Sequence, residues 1–318
     1  MKTTEIIISI TQVSLIVFFA PLLNGFIKKT KAAFQNRRGP DLIQPYRDLL
    51  KFFRKEETVS ETSSWLFRAV PVITLGATVT VCFMIPVFTA LTPFGFMGDI
   101  IVIVYLLALP RFFMALGGLD AGSAFGGMGS SREMMISSLA EPTFILSLFA
   151  MAVQTGTTHT GEIVSRLSQQ QWILLGPGMA MAFAALFMVM LAECARLPVD
   201  NPTTHLELTM IHEAMILEHS GRSLAMLEWA SMIKMTFFLT LLANLFMPLY
   251  LPGETGLAEL GLGAGVYVFK ILSLAVLICA VETSTAKLRL FRVPDFLGTA
   301  FALSLLGLLS EGIFRMVS

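Results

Sequence analysis

The chain has 318 residues, of which 55% are hydrophobic and only 14% charged, with a mean hydropathy of +0.75. That composition is too apolar for an ordinary soluble domain and fits a polytopic membrane protein. The 22 basic and 22 acidic side chains cancel, so there is no basic footprint for nucleic acid. Cys82, Cys194 and Cys279 stand far apart with no C-x-x-C, which excludes a disulfide framework and an iron-sulfur or zinc signature. Any redox centre is therefore expected in a partner chain, and no metal ligand set is assigned to this one.

The apolar run from Ile6 to Ile27 is long enough to span a bilayer and no A-x-A site follows it, so a retained first helix is expected. Hydropathy predicts eight spans in all, near 6–27, 69–92, 100–118, 134–154, 173–192, 229–251, 262–282 and 296–314. They must be helices, because unpaired backbone groups cannot face lipid. The expected fold is a single all-helical membrane domain over residues 1–318, with cytoplasmic connectors at 28–68, 111–133, 193–228 and 283–295. Of the 22 lysines and arginines, Lys234 and Lys270 fall inside spans and only Lys2, Arg166 and Arg315 lie opposite the rest. The positive-inside rule then puts both termini outside the cytoplasm.

Within the first connector, residues 41–57 place Leu49, Leu50, Phe52 and Phe53 among Arg47, Lys51, Arg54 and Lys55. This predicts an amphipathic helix beginning near Pro45, lying on anionic lipid or docking a soluble partner. The next connector, Gly117 to Glu133, is glycine-rich but holds neither G-x-G-x-x-G nor G-K-[ST], which argues against a nucleotide cradle. Its glycines are expected to serve tight turns and close approach to a neighbouring chain, with Asp120 turning the loop and Arg132 and Glu133 at the mouth of the fourth span.

Inside that span Glu141 precedes Pro142. A carboxylate at this depth costs roughly 2.5–3.5 kcal/mol if it faces lipid, so it is expected to face a cavity or a partner. The densest chemistry follows between Glu193 and Glu228, where Glu193, Asp200, Glu207, Glu213, Glu218 and Glu228 join His205, His212 and His219. If residues 203–219 are helical, Glu207 and Glu218 share one face roughly 16 Å apart, and the histidines fall on nearly the opposite one. H-E-A-M-I lacks the second histidine of a zinc-protease motif, and the histidines are read as surface or interface residues. A row of carboxylates flanked by membrane helices fits a hydrated path, in which burial and mutual repulsion raise their pKa values. Lys234 and Lys270, inside the sixth and seventh spans, each need a carboxylate, a carbonyl or water. The basic stretch from Lys287 to Asp295 reads as cytoplasmic anchoring.

These motifs converge on one resemblance, which covers almost the whole chain. R-R-G-P at Arg37, Arg38, Gly39 and Pro40, with Gln44, Tyr46-Arg47-Asp48 and Lys51, is similar to the membrane subunit of energy-converting nickel-iron hydrogenases such as formate hydrogenlyase. L-D-A-G-S-A-F at Leu119 to Phe125 and S-R-E at Ser131 to Glu133 resemble the same branch. Glu141-Pro142, A-E-x-x-R-x-P-x-D from Ala192 to Asp200, Glu207-Leu208, E-x-S-G at Glu218 to Gly221 and Glu228 resemble both that branch and the homologous membrane subunit of complex I. Where the family usually reads P-F-D-L-x-E-A-E, Thr203 and His205 replace two glutamates, and His205 offers a titratable group with an ordinary pKa of about 6.5.

The resemblance implies an anchor subunit in a cell (inner) membrane. Its partners would be nickel-iron hydrogenase large and small subunits, an iron-sulfur protein and antiporter-like membrane subunits. The nickel-iron centre and iron-sulfur clusters would sit in those partners, with no cofactor in this chain, which would not be catalytic on its own. It further implies docking through residues 37–55, 119–133 and 203–222. Coupling to proton or sodium movement would run through Glu141, Glu193, Asp200, Glu207, Glu218, Glu228, Lys234 and His205. Two other readings stand beside it: the quinone-chamber subunit of a complex I-type enzyme, against which R-R-G-P and L-D-A-G-S argue, and a stand-alone proton-coupled transporter, against which the absence of an internal repeat argues.

Overall fold

In the computed structural model, residues 3–60, 62–89, 97–169, 176–200, 210–250 and 256–317 are described. They form an all-helical bundle whose only bridge pairing is an isolated contact between Asp99 and His159. The helices are α1 (Thr3–Phe34), α2 (Gln44–Phe53), α3 (Trp65–Cys82), α4 (Ile100–Asp120), α5 (Ala124–Thr155), α6 (Thr160–Gln169), α7 (Pro177–Glu193), α8 (His212–Ile216), α9 (Gly221–Phe246), α10 (Leu257–Ser284) and α11 (Val293–Val317).

Each of the eight predicted spans corresponds to a helix. Seven are long and apolar enough to cross a membrane, while α7, at 17 residues, is shorter. The second span ends earlier than hydropathy suggests, at Cys82, because Pro86 and the turn before it cannot continue α3. Helix α9 is the most enclosed, and its apolar side chains pack with those of α1, α4, α7 and α10 into one core. Outside it, α11 lies on α5 and α7, and α3 lies on α4 and α9.

The amphipathic helix in the first connector is α2, with Pro45 in its first turn and Leu49 buried. The chain reaches it through a left-handed turn at Asn36 (φ 55°), where the Arg37 N–H donates to the Ala32 carbonyl at 2.8 Å. It then runs back along α1 so closely that a side chain on Gly39 would meet Lys29 Cα at 2.9 Å.

The glycine-rich connector corrects the sequence reading. Gly117 and Gly118 belong to α4, Gly126, Gly127 and Gly129 belong to α5, and only residues 121–123 turn between them. The close approach is within this chain: a Cβ on Gly126 would meet the Gly118 carbonyl oxygen at 2.2 Å, and one on Gly129 would meet Ala214 Cβ at 2.9 Å. Membrane helices use small residues at crossings because dispersion between backbones replaces the hydrophobic drive lost in lipid.

The expected helix over 203–219 is likewise corrected. Residues 201–209, with His205 and Glu207, lie outside the described residues. Beyond them Met210 and Ile211 are not helical and α8 ends at Ile216, so Glu218 and His219 do not share a helix face with His212.

Candidate functional site

The local structure at the end of α7 sets the site. After Glu193, Ala195 takes a left-handed conformation (φ 49°) and the Arg196 N–H donates to the Leu191 carbonyl at 2.8 Å. This closes the helix and turns the chain, so that Glu193 and Arg196 both line one cavity of about 420 Å³. Its other charged walls are Lys28 of α1, Arg111 of α4, Glu133 of α5, Glu213 of α8, and Glu228 and Lys234 of α9.

Glu193 is the centre of this arrangement. Its side chain is 5% exposed, with Arg111 Nη1 at 2.9 Å from one carboxylate oxygen and Lys234 Nζ at 2.8 Å from the other. Arg111 Nη1 also stands 3.4 Å from Glu141, whose side chain is 34% exposed. Two acids and two bases thus form a linear, charge-balanced clamp from α5 through α4 and α7 to α9. Such a buried set is held by its balance, because removing one member strands the others in low dielectric.

A second node lies beside it. Glu282 of α10 receives Lys31 at 2.8 Å and Arg196 at 3.5 Å, while Arg196 Nη2 also donates to Asn24 Oδ1 at 3.1 Å. It joins α1, α10 and the turn after α7.

The roof of the cavity is the segment around α8. Asp200 pairs with Lys287 at 3.2 Å and accepts the Ile211 N–H at 3.2 Å, and Arg132 donates to the Met210 carbonyl at 2.8 Å. In this roof Glu213 has its pKa pushed up to about 7, by burial first and then by the negative charges of Glu228 and Asp200, against a smaller pull from Lys28. Burial, reinforced by Lys234, moves His212 down from its ordinary value. His219, pushed down to about 4 by burial, stacks on Phe67 with ring centroids 3.9 Å apart. His219 is therefore a buried ring, whereas His212 is half-buried in the cavity wall. The Cys194 thiol is pushed up to about 12, chiefly by burial, and stays protonated.

Of the residues singled out from sequence, Glu193, Glu228, Lys234 and Glu133 meet in the cavity, Glu141 reaches it through Arg111, and Asp200 braces its roof. Glu218 is exposed and apart from it. On the connector side Arg37 and Arg38 are exposed, as is Pro40. Gln44 donates to Asp48 at 2.9 Å, Arg47 stands 3.5 Å from Asp41, Lys51 lies over the Phe52 ring, and Asp120 accepts the Ser64 N–H at 2.8 Å.

Sequence reasoning misses Arg111 and Glu282. Loop counting puts Arg111 among the connector cations, yet it is buried within α4. The usable signal is its position inside the apolar run 100–118, where a cation demands an acidic partner. Among the described residues no group of three or more His, Cys, Asp or Glu side chains is placed to hold a metal ion.

The chain is 32% identical to hydrogenase-4 component C of Escherichia coli (strain K12), over 95% of this chain and 94% of that one. It is 30% identical to formate hydrogenlyase subunit 4 of the same organism, over 96% and 98%. NADH-quinone oxidoreductase subunit 8 of Rhodothermus marinus is 26% identical over 75% of this chain and 70% of its own length. The fold matches a chain of the membrane-bound sulfane sulfur reductase, an archaeal respiratory membrane complex, with a TM-score of 0.81 at 21% identity, covering 95% of this chain and 98% of that one. The family model described as NADH dehydrogenase matches residues 6–310. This multi-pass membrane chain therefore belongs to the NADH dehydrogenase family.

Proposed function

We propose that the chain is the membrane anchor of an energy-converting hydrogenase-type complex, and that its charged cavity couples redox chemistry in the partner subunits to ion movement. The observation that carries this reading is the Glu141–Arg111–Glu193–Lys234 clamp, with Arg111 and Glu193 buried between α4, α5, α7 and α9 and open to a cavity roofed by the segment around α8. Similarity to hydrogenase-4 component C and formate hydrogenlyase subunit 4 over nearly the whole chain supports the same assignment.

The chemistry follows from the shared arginine. With Glu193 ionised, both cations are held and the clamp is closed. A proton arriving on Glu193 removes one negative charge, so Arg111 is left to Glu141 alone and Lys234 is released into the cavity that Glu133 and Glu228 also line. A single proton thereby becomes a side-chain rearrangement between α4, α7 and α9, the kind of two-state element that coupling requires. In this reading the nickel-iron and iron-sulfur groups reside in hydrogenase large and small subunits and an iron-sulfur protein, antiporter-like membrane subunits continue the ion path, and both termini face away from the cytoplasm. The soluble module docks on the exposed face around Arg37, Arg38 and α2.

The test is affinity purification in mild detergent followed by mass spectrometry and metal analysis. Nickel and iron arriving with hydrogenase-type subunits is the expected result, and Arg37→Glu with Arg38→Glu should shed that module. Iron without nickel, together with bound quinone, would replace this reading with a quinone-reducing one. The chain arriving alone and metal-free would overturn both.

A further inference from the structure

Beneath the cavity the structure holds a second polar system that the clamp does not use. On α9 a stripe at four-residue spacing runs from Met232 in the cavity wall through Thr236 and Thr240 to Asn244, about 18 Å along the helix at 1.5 Å per residue. On α3, Thr74 and Thr78 line the same cavity, and Cys82 follows one turn below. The two stripes converge on α10. Thr240 shares a hydrogen bond of 2.8 Å with the Tyr267 hydroxyl, and Lys270, one turn further along the same face, donates to Asn244 Oδ1 at 3.4 Å. The Asn244 amide is fixed by donating to the Pro86 and Val87 carbonyls at 2.7 and 2.8 Å. Next in the chain, the Phe88 and Thr89 N–H groups donate to Gln12 Oε1, and Gln12 donates to Thr89 Oγ1 at 2.6 Å.

Threonines that return a hydrogen bond to the carbonyl four residues back are ordinary in helices, and Thr236 and Thr240 both do so. Lys270 is not ordinary. It is 1% exposed, sits midway along an apolar span, and has no carboxylate within ion-pair distance among the described residues. A lysine at the centre of a membrane helix is costly to desolvate, and packing alone would be served better by an apolar side chain of the same length. At the cavity end the Thr74 hydroxyl, and near the Gln12 end the Ser9 hydroxyl, are buried without a partner among the described residues. Those are groups that a passing water or hydronium would satisfy.

We infer that this seam is a proton route through the chain itself, from the cavity to the opposite membrane face, with the Lys270 amine as its carrier. One proton enters from the cavity along the Thr240 and Tyr267 hydroxyls, each giving one as it takes one. It binds Lys270 Nζ, the ammonium is held by Asn244 Oδ1, and the proton then leaves past Thr89 and Gln12, which restores the amine. Nothing is oxidised or reduced in the step.

The inference rests on the reading of the chain as an ion-coupling subunit, and the experiment separates the two. The whole complex is reconstituted in liposomes, and the pH gradient formed per hydrogen evolved is followed with a pH-sensitive dye. Lys270→Met should leave the complex assembled and evolving hydrogen while the gradient per turnover falls below that of the wild type. A wild-type gradient per turnover in Lys270→Met overturns the inference and leaves the proposed function standing. Should that variant not assemble, Tyr267→Phe, which keeps the ring and removes the hydroxyl bridge, takes its place with the same two outcomes. A wild-type complex that builds a sodium gradient and no proton gradient also overturns the seam alone. Hydrogen evolution with no ion gradient of either kind overturns both.

Discussion

Replacing Glu193 with glutamine tests whether the clamp is the organising feature of the cavity. The substitution keeps shape and hydrogen-bonding capacity and removes one charge from a side chain that is 5% exposed and contacted by two cations at 2.8 and 2.9 Å. Breaking a buried ion pair costs about 3–5 kcal/mol, most of it from the stranded partner. Here the loss falls unevenly: Arg111 keeps Glu141 at 3.4 Å, whereas Lys234 loses its ion-pair partner. Glu193→Gln should therefore be destabilised by about 3–5 kcal/mol. Glu193→Gln with Lys234→Met should recover part of that, with a coupling energy of about 2 kcal/mol between the two positions. The assay is denaturant unfolding of the purified complex in detergent, followed by the near-ultraviolet signal and by retention of the soluble module. A single variant as stable as wild type, or a double variant no more stable than the single, would refute the reasoning.

Two further expectations follow from the roof and the helix crossing. Because the Glu213 carboxyl is raised from 4.5 to about 7, the fold favours its protonated form: that contribution to stability is fully present below about pH 4.5 and is lost as pH rises through about 7. The pH profile of coupled turnover should show a step near 7 that Glu213→Gln abolishes and Glu228→Gln shifts to lower pH, by removing a repelling charge; a profile unchanged in both variants would exclude Glu213 from the path. Gly126→Ala places a methyl group 2.2 Å from the Gly118 carbonyl oxygen, so α4 and α5 must separate, with an expected loss of about 1–3 kcal/mol in the same unfolding assay.

The parts of this structure legible in the sequence are those governed by local rules. The spans follow from apolar run length, α2 from the alternation of Leu49, Leu50, Phe52 and Phe53 with basic residues behind Pro45, and the need of Lys234 for a carboxylate, a carbonyl or water from the cost of a charge in lipid. What escaped was long-range pairing. Arg111 and Glu193 are far apart in the chain, as are Lys31 and Glu282, and only helix packing brings them together. The glycine-rich segment escaped for another reason. Glycine weakens a helix in water, but inside a bilayer the backbone must satisfy its own hydrogen bonds, and the tight α4–α5 crossing needs residues without side chains. Propensity pointed to a loop, and the surroundings overruled it.

The charged groups also form a sequence in depth, and its order bears on coupling. At the roof, Glu213 faces other acids and takes up a proton readily. Below it, Glu193 is matched by two cations, so its proton affinity depends on where Arg111 and Lys234 stand. Deeper still, Lys270 has only an amide oxygen as its described acceptor. The roof is the one layer of the three built from a connector, pinned by Asp200 to Ile211 and by Arg132 to Met210, and it lies beside the segments proposed to dock the soluble module. Burial is the largest cause of the raised Glu213 pKa, so a displacement of residues 210–216 that admits water acts first on the proton held there. Under the proposed function, a redox event in a docked partner would need to move only residues 210–216 to alter protonation at the cavity, with the helices that hold Glu193 in place.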